Sequence, residues 1–466
     1  MTTIRLFRHY LRVPLLILGV VEATISFLSM YAAAYIRFDS FQQENYYNSI
    51  NLFIPAILFS FAFIIGMIAV GLYQARSREG LIGVIQRMVV ASFLTAITLS
   101  AIFYMIPLLF IGRGLLGIAL IISVISIGLL RYIVSHRSPD LFKRNILVLG
   151  AGKKAESITQ LRRRADQIGF SINGFVHLRG ERDEIEKDKI IRLNRSLYEY
   201  IRHNDIDEVV LAVDDRRNGS IMDDLLDCKM NGISIIDIQT FFERETGKVL
   251  IEYLYPSWLV FSDGFYQSVI QQYAKRAFDI VASSILLFLA TPFILFAVMA
   301  IYLESGLRAP VFYRQVRVGE GGKPFMLLKF RSMRVDAEKN GSAQWATKND
   351  SRVTRVGKII RKTRIDELPQ IYNVLKGDMS FVGPRPERPN FVVDLAEKIP
   401  YYAERHRVKP GITGWAQLLY PYGSSEKDAR EKLQYDIYYL KNQGLFLDTL
   451  ILIKTVEVVL FGKGAR

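Results

Sequence analysis

Four apolar runs dominate the first 135 residues: 13–36, 52–73, 88–111 and 115–130. Each reaches or approaches the roughly 20 helical residues that cross a hydrocarbon core. Residues 1–135 are therefore predicted to form a four-helix transmembrane bundle. A cleaved signal peptide would show an apolar stretch of only about 7–15 residues ending at a small-residue site, and the first run does not fit. Arg5, Arg8 and Arg12 precede the first run, Arg76, Arg78 and Arg87 separate the second from the third, and Arg131, Arg137, Lys143 and Arg144 follow the fourth. The excess of Lys and Arg marks the cytoplasmic side. The N-terminus, the second connection and everything after residue 135 are expected there.

The pattern then changes period. Residues 136–250 alternate short β-rich runs (145–150, 172–176, 208–213 and 234–238) with helical stretches. This is the signature of a doubly wound, Rossmann-like α/β domain. Its first strand leads into Gly150, Gly152 and Ala155, the spacing of a turn that can receive a nucleotide's phosphates. Gly150 and Gly152 are the candidate cofactor-binding positions. A dinucleotide fold also needs an acid closing its second strand; here that strand runs into His177-Leu178-Arg179, with no carboxylate before Glu181. The glycines equally serve a tight turn with no ligand. Residues 251–274 read as a linker.

A fifth apolar run, at about 277–303, differs from the others. It follows Lys275-Arg276, holds Asp279 near its start and is interrupted by Thr291-Pro292. Proline removes a helical hydrogen bond and kinks or breaks the helix. The chain beyond is basic, with 19 Lys and Arg against 11 Asp and Glu over residues 304–398. A bent, re-entrant helix that enters and leaves by the cytoplasmic face satisfies both facts. A fifth full span is the alternative on length alone. Two further segments, 351–364 and 445–460, have amphipathic or apolar faces suited to a membrane surface or to packing on the core.

Composition narrows the chemistry. Half of the 466 residues are hydrophobic and the net charge is +15. An anionic membrane, a phosphorylated substrate or nucleic acid could each answer that charge. No nucleic-acid recognition motif accompanies it, so nucleic acid is not an expected partner. The only cysteine is Cys228, which excludes an intramolecular disulfide, a cysteine zinc site and an iron–sulfur cluster. The most chemically suggestive cluster is Asp366-Glu367 amid Arg355, Lys358, Arg361, Lys362 and Arg364. Cations suit diphosphate oxygens. One carboxylate can attack a phosphoryl group, and its neighbour can hold Mg²⁺, which takes one or two carboxylates plus substrate phosphates. Pro369 places the pair at a helix N-terminus. Taken alone, such a cluster also describes a solvated, salt-bridged face.

Several stretches remove that ambiguity: Lys275-Arg276-Ala277-Phe278-Asp279, Leu328-Lys329-Phe330-Arg331-Ser332-Met333, Arg361-Lys362-Thr363-Arg364-Ile365-Asp366-Glu367-Leu368-Pro369-Gln370, Gly383-Pro384-Arg385-Pro386, and Lys409-Pro410-Gly411-Ile412-Thr413-Gly414-Trp415. In this order they resemble the bacterial polyprenol-phosphate phosphoglycosyl transferases, in their large membrane form. The resemblance implies an α-rich catalytic domain over 275–466 with a re-entrant helix, on the cytoplasmic face of the bacterial inner membrane. It implies transfer of a sugar-1-phosphate from a UDP-sugar to undecaprenyl phosphate, releasing UMP, as the first membrane step of exopolysaccharide or capsule synthesis. Asp366 would be the nucleophile, Glu367 the Mg²⁺ ligand, and Arg385, Lys329 and Arg361 the basic residues of the catalytic set. The lipid bilayer is a further partner, and a homodimer is left open. Two other classes compete: a membrane-tethered, NAD-dependent nucleotide-sugar dehydratase or epimerase, and a non-catalytic scaffold. The first needs Tyr and Lys four apart, and the only such pair, Tyr372 and Lys376, lies far from the glycine turn.

Overall fold

The computed structural model describes residues 3–6, 9–39, 52–73, 81–137, 143–161, 169–178, 181–193, 196–214, 222–306, 309–334, 352–420, 423 and 425–460. They fall into two compact units, one ending at Gly247 and one beginning at Lys248.

In the first unit, helices Val13–Asp39, Phe53–Ala69, Leu81–Met105 and Arg113–Arg137 pack around Met30, Phe59, Leu99 and Leu115. Three of them are long and apolar enough to cross a membrane, as is Val269–Ser305 in the second unit. The expected second span is shorter, at 17 residues, because a turn at Gly71 (φ +77°) ends it. Leu16, Val20, Phe93, Ile97, Ile121 and Ile125 face outward, apolar surface that calls for a lipid environment. Inside, Glu22 is fully buried and accepts two bonds from Arg131, at 2.6 and 2.9 Å, and one from the Tyr73 hydroxyl. A charge inside a bundle persists when it is paired in this way.

The α/β part has the predicted parallel sheet. Strands Ile190–Ile191, Phe170–Val176, Arg144–Leu149, Glu208–Leu211 and Ser234–Asp237 lie side by side in that order. Leu147, Leu149 and Val209 are fully buried, as expected for a sheet covered on both faces. The two-residue strand Ile190–Ile191 is too short to leave a periodic signal. At the glycine turn, Gly150 has φ +116°, and a side chain there would meet the Ala212 carbonyl at 2.6 Å. The turn's amides are already engaged. Those of Lys153 and Lys154 donate to Asp214 at 2.9 and 3.0 Å, and that of Ala151 donates to Glu181 at 3.3 Å. A side chain at Gly152 would strike Asp214 at 2.2 Å. Gly150 thus makes room for the Ala212 backbone and Gly152 for the Asp214 carboxylate.

The second unit begins at Lys248 and takes in the whole of the expected linker. Residues 251–274 are folded: a 3₁₀ turn at Ile251–Tyr253, helix Pro256–Phe261 and the start of helix Val269–Ser305. Ile251 and Leu254 enter a core built on Leu433, Tyr438, Tyr439 and Trp415. The 37-residue helix is continuous through Pro292, where a kink or break was expected. The Thr291 hydroxyl donates to the Leu287 carbonyl at 2.8 Å. From Ile280 to Leu303 this helix exposes Val281, Ile285, Phe288, Phe293 and Phe296.

Antiparallel strands Phe312–Val318 and Pro324–Phe330 follow, then helix Arg355–Lys362, the turn Ile365–Glu367 and helix Gln370–Lys376. Beside a short parallel pair, Ser380–Val382 with Gly411–Thr413, two motif stretches meet: the Gly383 amide donates to the Thr413 carbonyl and the Gly411 amide to the Pro384 carbonyl, both at 2.9 Å. Helices Pro389–Lys398, Glu426–Asn442 and Leu445–Leu460 complete the unit. Both candidate interfacial segments use their apolar faces internally. Ile360 and Val356 pack with Ala297, Ile301 and Phe330, while Leu447 and Ile451 join the core around Trp415. Tyr435, Tyr438 and Tyr439 are core residues as well.

Asn373 ties the hairpin to helix Gln370–Lys376: it accepts from the Leu328 amide at 3.0 Å and donates to the Met326 carbonyl at 2.8 Å. Asn373→Leu keeps the volume but strands both backbone groups. It is expected to destabilise the second unit by about 2–4 kcal/mol, measured as a lower denaturation midpoint in detergent.

Candidate active site

The carboxylate pair lies on a single 3₁₀ turn, Ile365–Glu367, just ahead of the helix that Pro369 caps. Arg364 enters this turn with φ +60°, in the left-handed region that side chains seldom occupy. Such strain often accompanies functional sites, and here it aims Asp366 and Glu367 into the unit. Asp366 is 8 % exposed. Its carboxylate accepts no hydrogen bond from the described residues.

Glu367 is gripped from three sides. Its Oε1 accepts from Arg385 Nη2 at 2.7 Å and from Lys329 Nζ at 3.2 Å, with Arg364 Nη1 at 3.7 Å. Its Oε2 accepts no bond from the described residues. Each cation arrives on a different element. Lys329 is next to last in the hairpin strand that Asn373 holds in place. Arg385 sits in the Gly-Pro-Arg-Pro loop, and its carbonyl accepts from Arg405 Nη2 at 3.0 Å. Arg405 is itself buried, bonded to Asp436 at 3.1 Å and to the Tyr402 hydroxyl at 2.9 Å. The loop's glycine is required by contact: a side chain at Gly383 would meet the Lys409 carbonyl at 2.4 Å, and one at Gly411 would meet the Gly383 amide at 2.1 Å.

The fields on the two carboxylates oppose each other. Burial raises Glu367, but Arg385, Lys329 and Arg364 outweigh it and hold the carboxyl well below the usual range. Burial also raises Asp366. Lys329, Arg361 and Arg364 pull it down while the charge of Glu367 pushes it up, and it stays above its ordinary value. Burial lowers Lys329, partly offset by Glu367. A neighbouring pair driven apart in this way is how one site assigns different roles to like groups. Adjacent carboxylates with free oxygens and a surrounding set of cations can bind, orient and attack a phosphoryl group.

Sequence reasoning named Asp366, Glu367, Lys329 and Arg385, and the structure brings them together. Arg361, on helix Arg355–Lys362, acts on Asp366 through its charge, with no hydrogen bond to it among the described residues. Gly150 and Gly152 lie in the other unit. Arg405, Asp436 and Asn373 were missed, since one polar residue among others on a helix or a short 3₁₀ segment carries no spacing signal. The first motif turns out to hold the long helix. Asp279 accepts from the Ser380 hydroxyl at 2.9 Å and the Phe381 amide at 3.0 Å. Lys275 donates to Asp448 at 2.8 Å and to the Val382 carbonyl at 3.2 Å, while Arg276 donates to the carbonyls of Val374 and Leu375, both at 2.6 Å.

Comparison with known proteins identifies the family. The family described as bacterial sugar transferase matches residues 270–462. A UDP-N-acetylgalactosamine-undecaprenyl-phosphate N-acetylgalactosaminephosphotransferase of Aeromonas hydrophila is 46% identical over 239 residues, 51% of this chain and 55% of that one. The match therefore spans about half the length of that relative. UDP-glucose:undecaprenyl-phosphate glucose-1-phosphate transferases of Klebsiella pneumoniae and Escherichia coli (strain K12) are 34% and 33% identical. Those alignments cover 69% and 67% of both partners respectively. With the carboxylate pair, its cations and the motif order all in place, the chain belongs to the bacterial sugar transferases, within the polyprenol-phosphate phosphoglycosyl transferases.

Proposed function

We propose that this protein transfers a sugar-1-phosphate from a UDP-sugar to undecaprenyl phosphate, releasing UMP, by way of a covalent Asp366 intermediate. The observation that carries the reading is the split pair: a buried Asp366 with unbonded oxygens beside a Glu367 fixed by Arg385 and Lys329. A carboxylate oxygen of Asp366 attacks the sugar-bearing phosphorus. The bond from that phosphorus to the bridging oxygen breaks, and UMP departs with the electron pair. The phosphate oxygen of undecaprenyl phosphate then attacks the same phosphorus and displaces Asp366 as a free carboxylate. Arg385 and Lys329 face the phosphate oxygens on which charge accumulates, the position where fixed cations lower a barrier most. Such a scheme supports synthesis of an exopolysaccharide or capsule on the cytoplasmic face of the bacterial inner membrane.

The donor set suits Mg²⁺. Glu367 Oε2 is free of the described donors, and Asp366 adds a second hard oxygen beside it. No cluster of three metal-ligating side chains occurs among the described residues, in keeping with an ion that completes its shell with phosphates and water. Glu367 would hold the ion, whose contribution is to neutralise diphosphate charge.

The long helix favours a re-entrant path. Its start is bonded to Val374, Ser380 and Phe381. Toward its other end, Ala297 and Ile301 pack on Phe330 and Ile360, and Glu304 accepts from the Arg355 amide at 2.7 Å. A straight 37-residue helix measures about 55 Å, yet both ends hold one compact unit, which a crossing would divide between two compartments. Residues on either side should accordingly share the cytoplasm. Cysteines at Gln272 and Pro310 in a Cys228→Ser background should both resist an impermeant thiol reagent in intact cells and react after lysis. Labelling of Pro310→Cys alone in intact cells would establish a full span.

The chemical step is read by intact mass after mixing protein with UDP-sugar and no lipid. Wild type should gain one sugar-phosphate, and Asp366→Asn should gain none. Initial rates should be ping-pong. Arg385→Lys, which keeps charge but loses the planar fork, should slow adduct formation by about 10²–10³. Intersecting rate lines with no adduct would instead favour direct transfer.

The pH dependence follows from the sign of the Asp366 shift. Asp366 attacks as the anion, so a raised pKa removes activity earlier as pH falls. The acid limb of adduct formation should lie above the ordinary aspartate range. Lys329→Met deletes the largest charge lowering Asp366 and should move the limb to still higher pH, as stopped-flow or rapid-quench rates would report.

A further inference from the structure

A cavity lies beside Arg385, lined in part by Glu387, Arg405, Gln417, Lys432 and Asp436. Its charges do not cancel. Asp436 is taken by Arg405 at 2.8 Å, Glu387 by Arg317 at 3.5 Å, and Arg385 already answers Glu367. Lys432, on helix Glu426–Asn442, is left over. Its ammonium donates to the Gly423 carbonyl at 2.9 Å and lies in the field of Glu387 and Asp428, with no salt bridge to either among the described residues. Gln417 accepts from Arg385 Nη1 at 3.5 Å, which leaves its Nε2 buried without a partner. A buried donor left unmade and a half-buried cation left unpaired are each costly. Both are satisfied by one kind of occupant, an anion rich in acceptor oxygens.

We infer that this cavity is the subsite for the phosphate of the departing nucleotide, with Lys432 and Gln417 as its binding residues. The inference rests on the donor chemistry proposed above. Arg385 stands between the cavity and Glu367, so it can hold the bridging region of a diphosphate whose sugar-bearing half meets Asp366. The other half then lies against Lys432. When the bond to the bridging oxygen breaks, the electron pair stays on the nucleotide's phosphate, and Lys432 and the Gln417 amide are placed to receive that new charge. The lipid acceptor's phosphate is the competing source of the same chemistry, and it would be read out in the other half-reaction.

The test uses the full-length protein in detergent and measures UMP binding by calorimetry, independent of turnover. Lys432→Met and Gln417→Leu should each weaken UMP by about 10-fold or more, the scale of a lost charge-assisted hydrogen bond. KM for the UDP-sugar in adduct formation should rise in parallel, uridine affinity should not change, and Lys432→Arg should restore UMP binding. Discharge of a preformed adduct onto polyprenyl phosphate should keep the wild-type rate. Melting temperatures show whether each variant folds, and either one alone suffices if the other does not. Unchanged UMP affinity in a folded variant overturns the assignment, as does an effect confined to adduct discharge. Because UMP binding needs no adduct, failure of the Asp366 scheme and failure of this subsite give different results.

Discussion

Everything in the catalytic unit turns on keeping one ionised carboxylate, Glu367, out of water. Taken alone it would be expelled or protonated, because burial of a lone charge is expensive. It persists because Arg385 and Lys329 meet the same oxygen from separate elements. Its neighbour Asp366 is raised chiefly by burial; Lys329 works against that rise and the fixed charge of Glu367 adds to it. The same lysine thus acts on both carboxylates.

Holding that cluster requires support behind each cation, and the outer layer explains much of the rest of the unit. Arg405 braces the loop that carries Arg385, and Asp436 neutralises Arg405. Asn373 locks the hairpin that carries Lys329. Asp279 and Lys275 seat the long helix on strand Ser380–Val382, which leads into the loop of Arg385. Groups at a reactive centre depend on such secondary contacts for their placement.

Much of this was legible in the sequence. The apolar runs announced the membrane helices, the alternation of short strands and helices announced the parallel sheet, and the ordered motifs pointed to Asp366, Glu367, Lys329 and Arg385. What stayed hidden was long-range. Nothing local in Tyr435, Tyr438 and Tyr439 distinguishes a core stripe from an interfacial anchor, because both have helical spacing; the packing of Trp415 on Tyr438 decides it. Residues 251–274 lack periodicity, so their folding onto Leu433 and Trp415 could not be read. The glycine turn has the spacing of a phosphate cradle, and Asp214, more than sixty residues on, accepts from two of its amides. Local sequence reports what a backbone can accept and leaves open what fills it.

The apolar flank of helix Val269–Ser305 bears on how the protein is attached. Val281, Ile285, Phe288, Phe293 and Phe296 are uncovered on the unit that holds the active site, so that unit carries its own hold on lipid. Attachment is therefore redundant along the chain. A chain cut between Gly247 and Lys248 would still carry, in its C-terminal part, an apolar helix long enough to cross a membrane.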